Sequence, residues 1–102
     1  MRVVALVPDL MDRSRLAAAV DGVEFTGGAG GAAGADVVVV DLARHAGSVP
    51  ELRTVAPSAR IVAFGPHVDD ETLAAARAAG ADEVMPRSRF FRDPAAAVAG
   101  ST

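Results

Sequence analysis

Four consecutive valines, Val37 to Val40, run directly into Asp41. Side chains alternate between the two faces of a strand, so a run without a polar position puts apolar groups on both. Strands of that kind belong to parallel sheets covered by helices on each side. In an open α/β sheet the ligand crevice lies beyond the carboxyl ends of the strands, which makes Asp41 the first candidate site. A loop-opening or helix-capping aspartate is the plainer alternative.

The remaining chain repeats this pattern. Val3 to Val7 reads as another buried strand, closed by Pro8, with Asp9 at its carboxyl end. A helix is predicted from Asp12 to Val20, with Leu16, Ala17 and Val20 on one face and Gly22 as its stop. Val23 to Phe25 alternates as a short strand. The stretch Gly27 to Gly34 then stands where a helix is due; each glycine costs about 1 kcal/mol relative to alanine in a helix, so that helix is expected to be reduced or missing. After the valine strand, Ser48 and Glu51 have capping-box spacing ahead of Val49, Leu52 and Val55, and Pro57 ends the helix. Arg60 to Phe64 gives a fourth strand. The acidic run Asp69, Asp70, Glu71 favours the start of a helix that continues from Leu73 to Ala79 and stops at Gly80. Glu83 to Met85 is a fifth strand, and Asp93 followed by Pro94 starts a short last helix, Ala95 to Ala99. Five strands alternating with helices favour a doubly wound parallel sheet.

Composition narrows the function. A chain of 102 residues fits one domain, and the absence of Trp and Tyr leaves Val, Leu and Ala to build the core. All ten basic residues are Arg, which excludes Schiff-base and P-loop lysine chemistry. Without cysteine there is neither a disulfide nor a thiolate metal site. The formal net charge of -3 gives no footprint for a nucleic-acid backbone. The segment Val3 to Val7 is too short for a signal peptide or membrane span, so a cytoplasmic protein without membrane contact is expected.

With these elements in place, the chain resembles the receiver domain of two-component response regulators over nearly its full length. The resemblance rests on ADVVVVDLA around Asp41 and on Asp69 to Phe90, reading DDETLAAARAAGADEVMPRSRF. It implies a CheY-like, flavodoxin-like sheet of five parallel strands in the order 2-1-3-4-5, with a site at the carboxyl ends of strands one, three, four and five. It places Asp41 at the phosphoacceptor position. Receivers carry two acidic residues after the first strand that hold magnesium with the acceptor; here the pair is Pro8 and Asp9. Their hydroxyl after the fourth strand corresponds to Gly65, and the lysine after the fifth strand to Arg87. That lysine is followed by proline, whereas Arg87 is followed by Ser88 and preceded by Pro86. The aromatic switch residue of the fifth strand corresponds to Val84. A guanidinium pairs bidentately with carboxylates, so Arg87 is expected either to bind Asp41 directly or to lie solvated at a loop edge.

Other candidates are weaker. Gly28, Gly30 and Ala33 have dinucleotide-fingerprint spacing but precede a strand instead of following the first one. Pro8, Asp9 and Asp12 place negative charge where a flavin phosphate would need free amides, so no cofactor is expected beyond weak magnesium on Asp9 and Asp41. His45 and His67 lie on the same edge as the two aspartates, without ligand spacing. Arg87 to Arg92 combines Phe90 and Phe91 with Arg89 and Arg92, a composition enriched at protein interfaces; the alternative is one core Phe and one covering the last helix.

The expected function is that of a stand-alone, degenerate receiver-like module, not an enzyme, acting through a protein partner or as a homodimer. A genuine response regulator phosphorylated on Asp41 is the second reading, and a small metal-dependent enzyme using Asp9, Asp41 and His67 the third. With the second helix lost, one sheet face is expected to be incompletely covered, and apolar surface near Phe90, Phe91 and Val98 to be exposed as the interface.

Overall fold

The computed structural model describes residues 1–66 and 70–100. Five strands, β1 (Val3–Leu6), β2 (Glu24–Phe25), β3 (Val37–Asp41), β4 (Arg60–Gly65) and β5 (Glu83–Pro86), form one parallel sheet in the order β2-β1-β3-β4-β5. The strand order that the receiver resemblance implies is therefore present. Register pairs Leu6 with Val40, Asp41 with Phe64 and Gly65 with Pro86. The carboxyl ends of β1, β3, β4 and β5 thus lie along one edge of the sheet.

Alternation along β3 divides the core in two. Val38 and Val40 join Leu6, Ile61, Ala63 and Val84 on one face, beneath α3 (Val49–Val55) and α4 (Asp70–Ala79). Val37 and Val39 join Val7, Val62, Phe64 and Met85 on the other, against Leu16 of α1 (Leu10–Ala19), Phe90 of α5 (Arg87–Arg92) and Val98 of α6 (Pro94–Ala99). Every residue of β3 is buried, as its composition requires.

The glycine-rich stretch forms a 3₁₀ turn, Ala29–Ala32, in place of a helix. The expected gap in the sheet's cover is nonetheless absent. Ala29, Ala32 and Ala35 are buried in the first core beside Leu52, because small side chains let this backbone settle close to the strands. Ser48 does not close a capping box: its side chain makes no capping bond, and a 3₁₀ turn, Ala46–Ser48, runs straight into α3, whose first turn contains Pro50. A short helix α2 (Leu42–His45) begins directly after β3, and α5 occupies a segment for which no helix was expected. The first helix also starts earlier than its hydrophobic spacing suggests, at Leu10, because Asp9 caps it by accepting from the Asp12 amide at 2.9 Å. Of the acidic run, Asp70 and Glu71 form the first turn of α4, while Asp69 lies outside the described residues.

The glycines of the 3₁₀ segment are not equivalent. A Cβ on Gly31 would collide with the Thr26 side chain, and Gly34 has φ +79, whereas Gly27, Gly28 and Gly30 face open space. Gly31→Ala and Gly34→Ala are each expected to destabilise the fold by about 1–3 kcal/mol. Gly30→Ala should leave urea unfolding unchanged within about 0.5 kcal/mol; equal effects at all three positions would contradict this assignment.

Candidate functional site

Asp41 is the last residue of β3 and 5% exposed. Its Oδ1 accepts from the Ala43 amide at 2.9 Å, capping α2. Asp9 plays the same part for α1 and is exposed. Both candidate acids therefore stand at the carboxyl edge and both satisfy a helix N-terminus, where a carboxylate meets orphan amides and the positive end of the helix dipole. The capping reading and the site reading of Asp41 describe the same position.

Gly65 ends β4 beside Pro86 and presents no hydroxyl to this edge. Val84 is buried within β5 under α4. His45 ends α2 and is half-buried; His67 lies outside the described residues.

Arg87 does not bind Asp41. Its two terminal nitrogens donate to the two oxygens of Asp12, at 2.7 and 2.9 Å. Helix α1 starts two residues before Asp12, whose side chain turns inward from the first turn, to 3% exposure. A buried carboxylate without a cation would be costly, and the Arg87 fork satisfies both of its oxygens. The same guanidinium lies 5.9 Å from the ring centre of Phe64 and 5.1 Å from that of Phe91. Its pKa is raised above the ordinary value, first by hydrogen bonding to Asp12 and then, against a loss from burial, by the charges of Asp12, Asp41 and Asp9. Asp12 was not singled out as a site residue because its spacing read as the polar start of a helix. The signal available was its distance of three residues from a capping Asp9.

The aromatic segment also differs from expectation. Phe90 is 0% exposed and Val98 is 3% exposed, so neither forms an outer surface. Phe64, Phe90 and Phe91 make a cluster with ring centres 4.9 to 5.1 Å apart, and Phe91, half-buried, carries Arg15 at 5.8 Å on its ring. The helical turn of α5 is the cause, since it points adjacent residues in different directions while the Phe64 ring draws both inward. Arg89 and Arg92 remain exposed.

No protein-family model matches the chain, and no curated protein matches it in sequence. Solved structures do. A response regulator from Burkholderia pseudomallei, determined with a phosphorylated aspartic acid, a calcium ion and citrate, superposes with a TM-score of 0.82 at 18% identity, covering 95% of this chain and 65% of that one. The fold is that of response-regulator receiver domains. A response regulator from Thermotoga maritima gives 0.73 at 15% identity, covering 96% of this chain and 97% of that one. The BeF3-activated DrrB receiver domain gives 0.74 at 14%, covering 89% and 96%. Against the first of these the chain spans just under two thirds of the neighbour's length.

The receiver fold implies a divalent cation at this edge, and the donor set here does not fit one. Pro8 stands where the resemblance implied a second acid, Asp12 is held by Arg87, and Asp9 and Asp41 each cap a helix through one oxygen. Among the described residues no cluster of three or more His, Cys, Asp or Glu is arranged to hold a metal. Magnesium demands near-octahedral oxygen ligation, so calorimetry at millimolar magnesium is expected to show no saturable binding. Tight binding that disappears in Asp9→Ala would contradict this.

Burial separates the two aromatic positions experimentally. Phe90→Ala is expected to cost about 3–5 kcal/mol, a large share of the stability of an ordinary domain. Phe91→Ala should cost less, about 1–3 kcal/mol, read by urea denaturation. Equal and small losses at both positions would restore the exposed interface expected from the sequence.

Proposed function

We propose that this chain is a receiver-like regulatory module whose phosphorylation site is degenerate and which works through contact with a protein partner, not as an enzyme. The observation that carries this reading is the commitment of Arg87 to Asp12. The residue in the position of the phosphoryl-neutralising lysine already has both terminal nitrogens on a buried carboxylate. Gly65 in place of a hydroxyl and Pro8 in place of an acid remove two further supports for a phosphoryl group. Val84, in place of the switch aromatic, is buried under α4 and leaves no large side chain to swing between two positions.

The second reading, phosphorylation on Asp41, is favoured by one feature. Only Oδ1 of Asp41 has a hydrogen bond among the described residues, which leaves Oδ2 as a nucleophile, and one structural neighbour carries a phosphorylated aspartic acid. The two readings are separated by adding a beryllofluoride mimic or acetyl phosphate with magnesium. The first predicts unchanged amide spectra and no phospho-adduct by mass. A stoichiometric adduct on Asp41 with widespread amide shifts would establish the second.

The partner surface, on this reading, is the outer edge of β5 with α4 and α5. Strand β5 ends the sheet with one side unpaired, and the surrounding grooves are lined by Arg77, Glu83, Met85, Arg89 and Arg92. Arg77, Arg89 and Arg92 are exposed and make no ion pair among the described residues. Three unpaired cations suit an acidic partner face or, with Glu83 and Asp93 nearby, a second copy of the chain. The double variant Arg89→Glu, Arg92→Glu is expected to weaken association at least tenfold and to flatten its salt dependence without changing thermal stability. A wild-type chain that sediments as a monomer at high concentration rules out the homodimer form and leaves the separate partner.

A further inference from the structure

The Asp12–Arg87 pair joins positions 75 residues apart, the first turn of α1 and the first residue of α5. Both helices lie on the same face of the sheet, over the core of Val39, Phe64 and Phe90. Among the described residues, those from Arg87 onward form α5 and α6, six residues each. Helices this short do not hold themselves. Their position rests on Phe90, Val98, the Asp93 cap and whatever anchors the turn between β5 and α5.

Arg87 is that anchor. It is fixed by the two oxygens of Asp12 and by the rings of Phe64 and Phe91, and the charges of Asp41 and Asp9 act on it from the same edge. The resemblance implies at this place a cation that neutralises a phosphoryl group. Here the partner is part of the chain. We propose that Asp12–Arg87 is an internal latch, an ion pair that holds α5 and α6 against α1. The inference rests on the degenerate-site reading given above and extends it to regulation: whatever alters the partner surface on α5 must open this pair.

A latch differs from a general stabilising contact in where its loss is felt. Opening it frees α5 and α6 on one face and leaves α3 and α4 seated on the other, so the effect is local. The experiment is amide hydrogen exchange by NMR on the full chain, comparing wild type with Asp12→Asn and Arg87→Lys. Asp12→Asn keeps the shape and removes the charge. Loss of a charge-assisted pair is expected to speed exchange across Arg87 to Ala99 by about tenfold, with Leu52 and Ala76 on the opposite face unchanged. Arg87→Lys, which keeps the charge and loses the bidentate fork, should show a smaller rise at the same amides. A uniform rise on both faces, or none, overturns the latch. If Asp12→Asn does not fold, the same comparison in Arg87→Lys decides. A response of the wild type to beryllofluoride would overturn the degenerate-site reading and leave this comparison of faces intact, so the two failures are distinguishable.

Discussion

Asp12 is a carboxylate almost wholly removed from water, and a charge in that position is tolerated only beside a partner that satisfies it. Arg87 is the residue that does so, and much of the carboxyl edge follows from that requirement. The first turn of α1 must lie within reach of the start of α5. The β5–α5 turn must stay at the edge, and the guanidinium must cross the rings of Phe64 and Phe91 to arrive there. Both of its terminal nitrogens are engaged by Asp12 and not by Asp41.

The opposite edge of the sheet uses the same chemistry for a different purpose. Arg53 donates to the carbonyls of Pro57, Ala59 and Gly80 and to Asp82. Arg60 joins Glu83 to the carbonyls of Ala97 and Val98 at the end of α6, and Arg2 joins Glu24 to the Ala33 carbonyl. A planar fork reaches several acceptors at once, which an ammonium cannot do with the same geometry. Helix ends and turns leave carbonyls without partners, and in a chain whose core is largely Val and Ala these arginines close the gaps between short elements. The exclusive use of Arg, which in the sequence only excluded lysine chemistry, is thus also a structural device.

The architecture was legible because its signals are local. A four-valine strand is buried on both faces whatever surrounds it, and Pro8, Gly80 and the Asp93–Pro94 pair terminate or start elements by their own covalent constraints. Strand order and the carboxyl-edge position of Asp9 and Asp41 followed from that pattern and the family resemblance. The site's wiring was not legible. Whether Arg87 meets Asp41 or Asp12 depends on α1 beginning two residues earlier than its apolar spacing indicates, and on an α5 that no periodicity in Arg87 to Arg92 announces. Phe90 likewise carries no mark that distinguishes it from Phe91; both rings touch Phe64, and the direction each takes from α5 decides which one is buried.

Whether Asp12 and Arg87 act as one unit is measured by a double-mutant cycle. Urea unfolding of wild type, Asp12→Asn, Arg87→Met and the double variant gives the coupling between the two side chains, free of the packing each makes elsewhere. For a bidentate pair with one buried and one partly exposed member, the expected coupling is about 1–3 kcal/mol, with the double variant more stable than additivity allows. A coupling within about 0.5 kcal/mol of zero, the level found between independent sites, would show that the two residues do not depend on each other and that the carboxyl edge is held by something else.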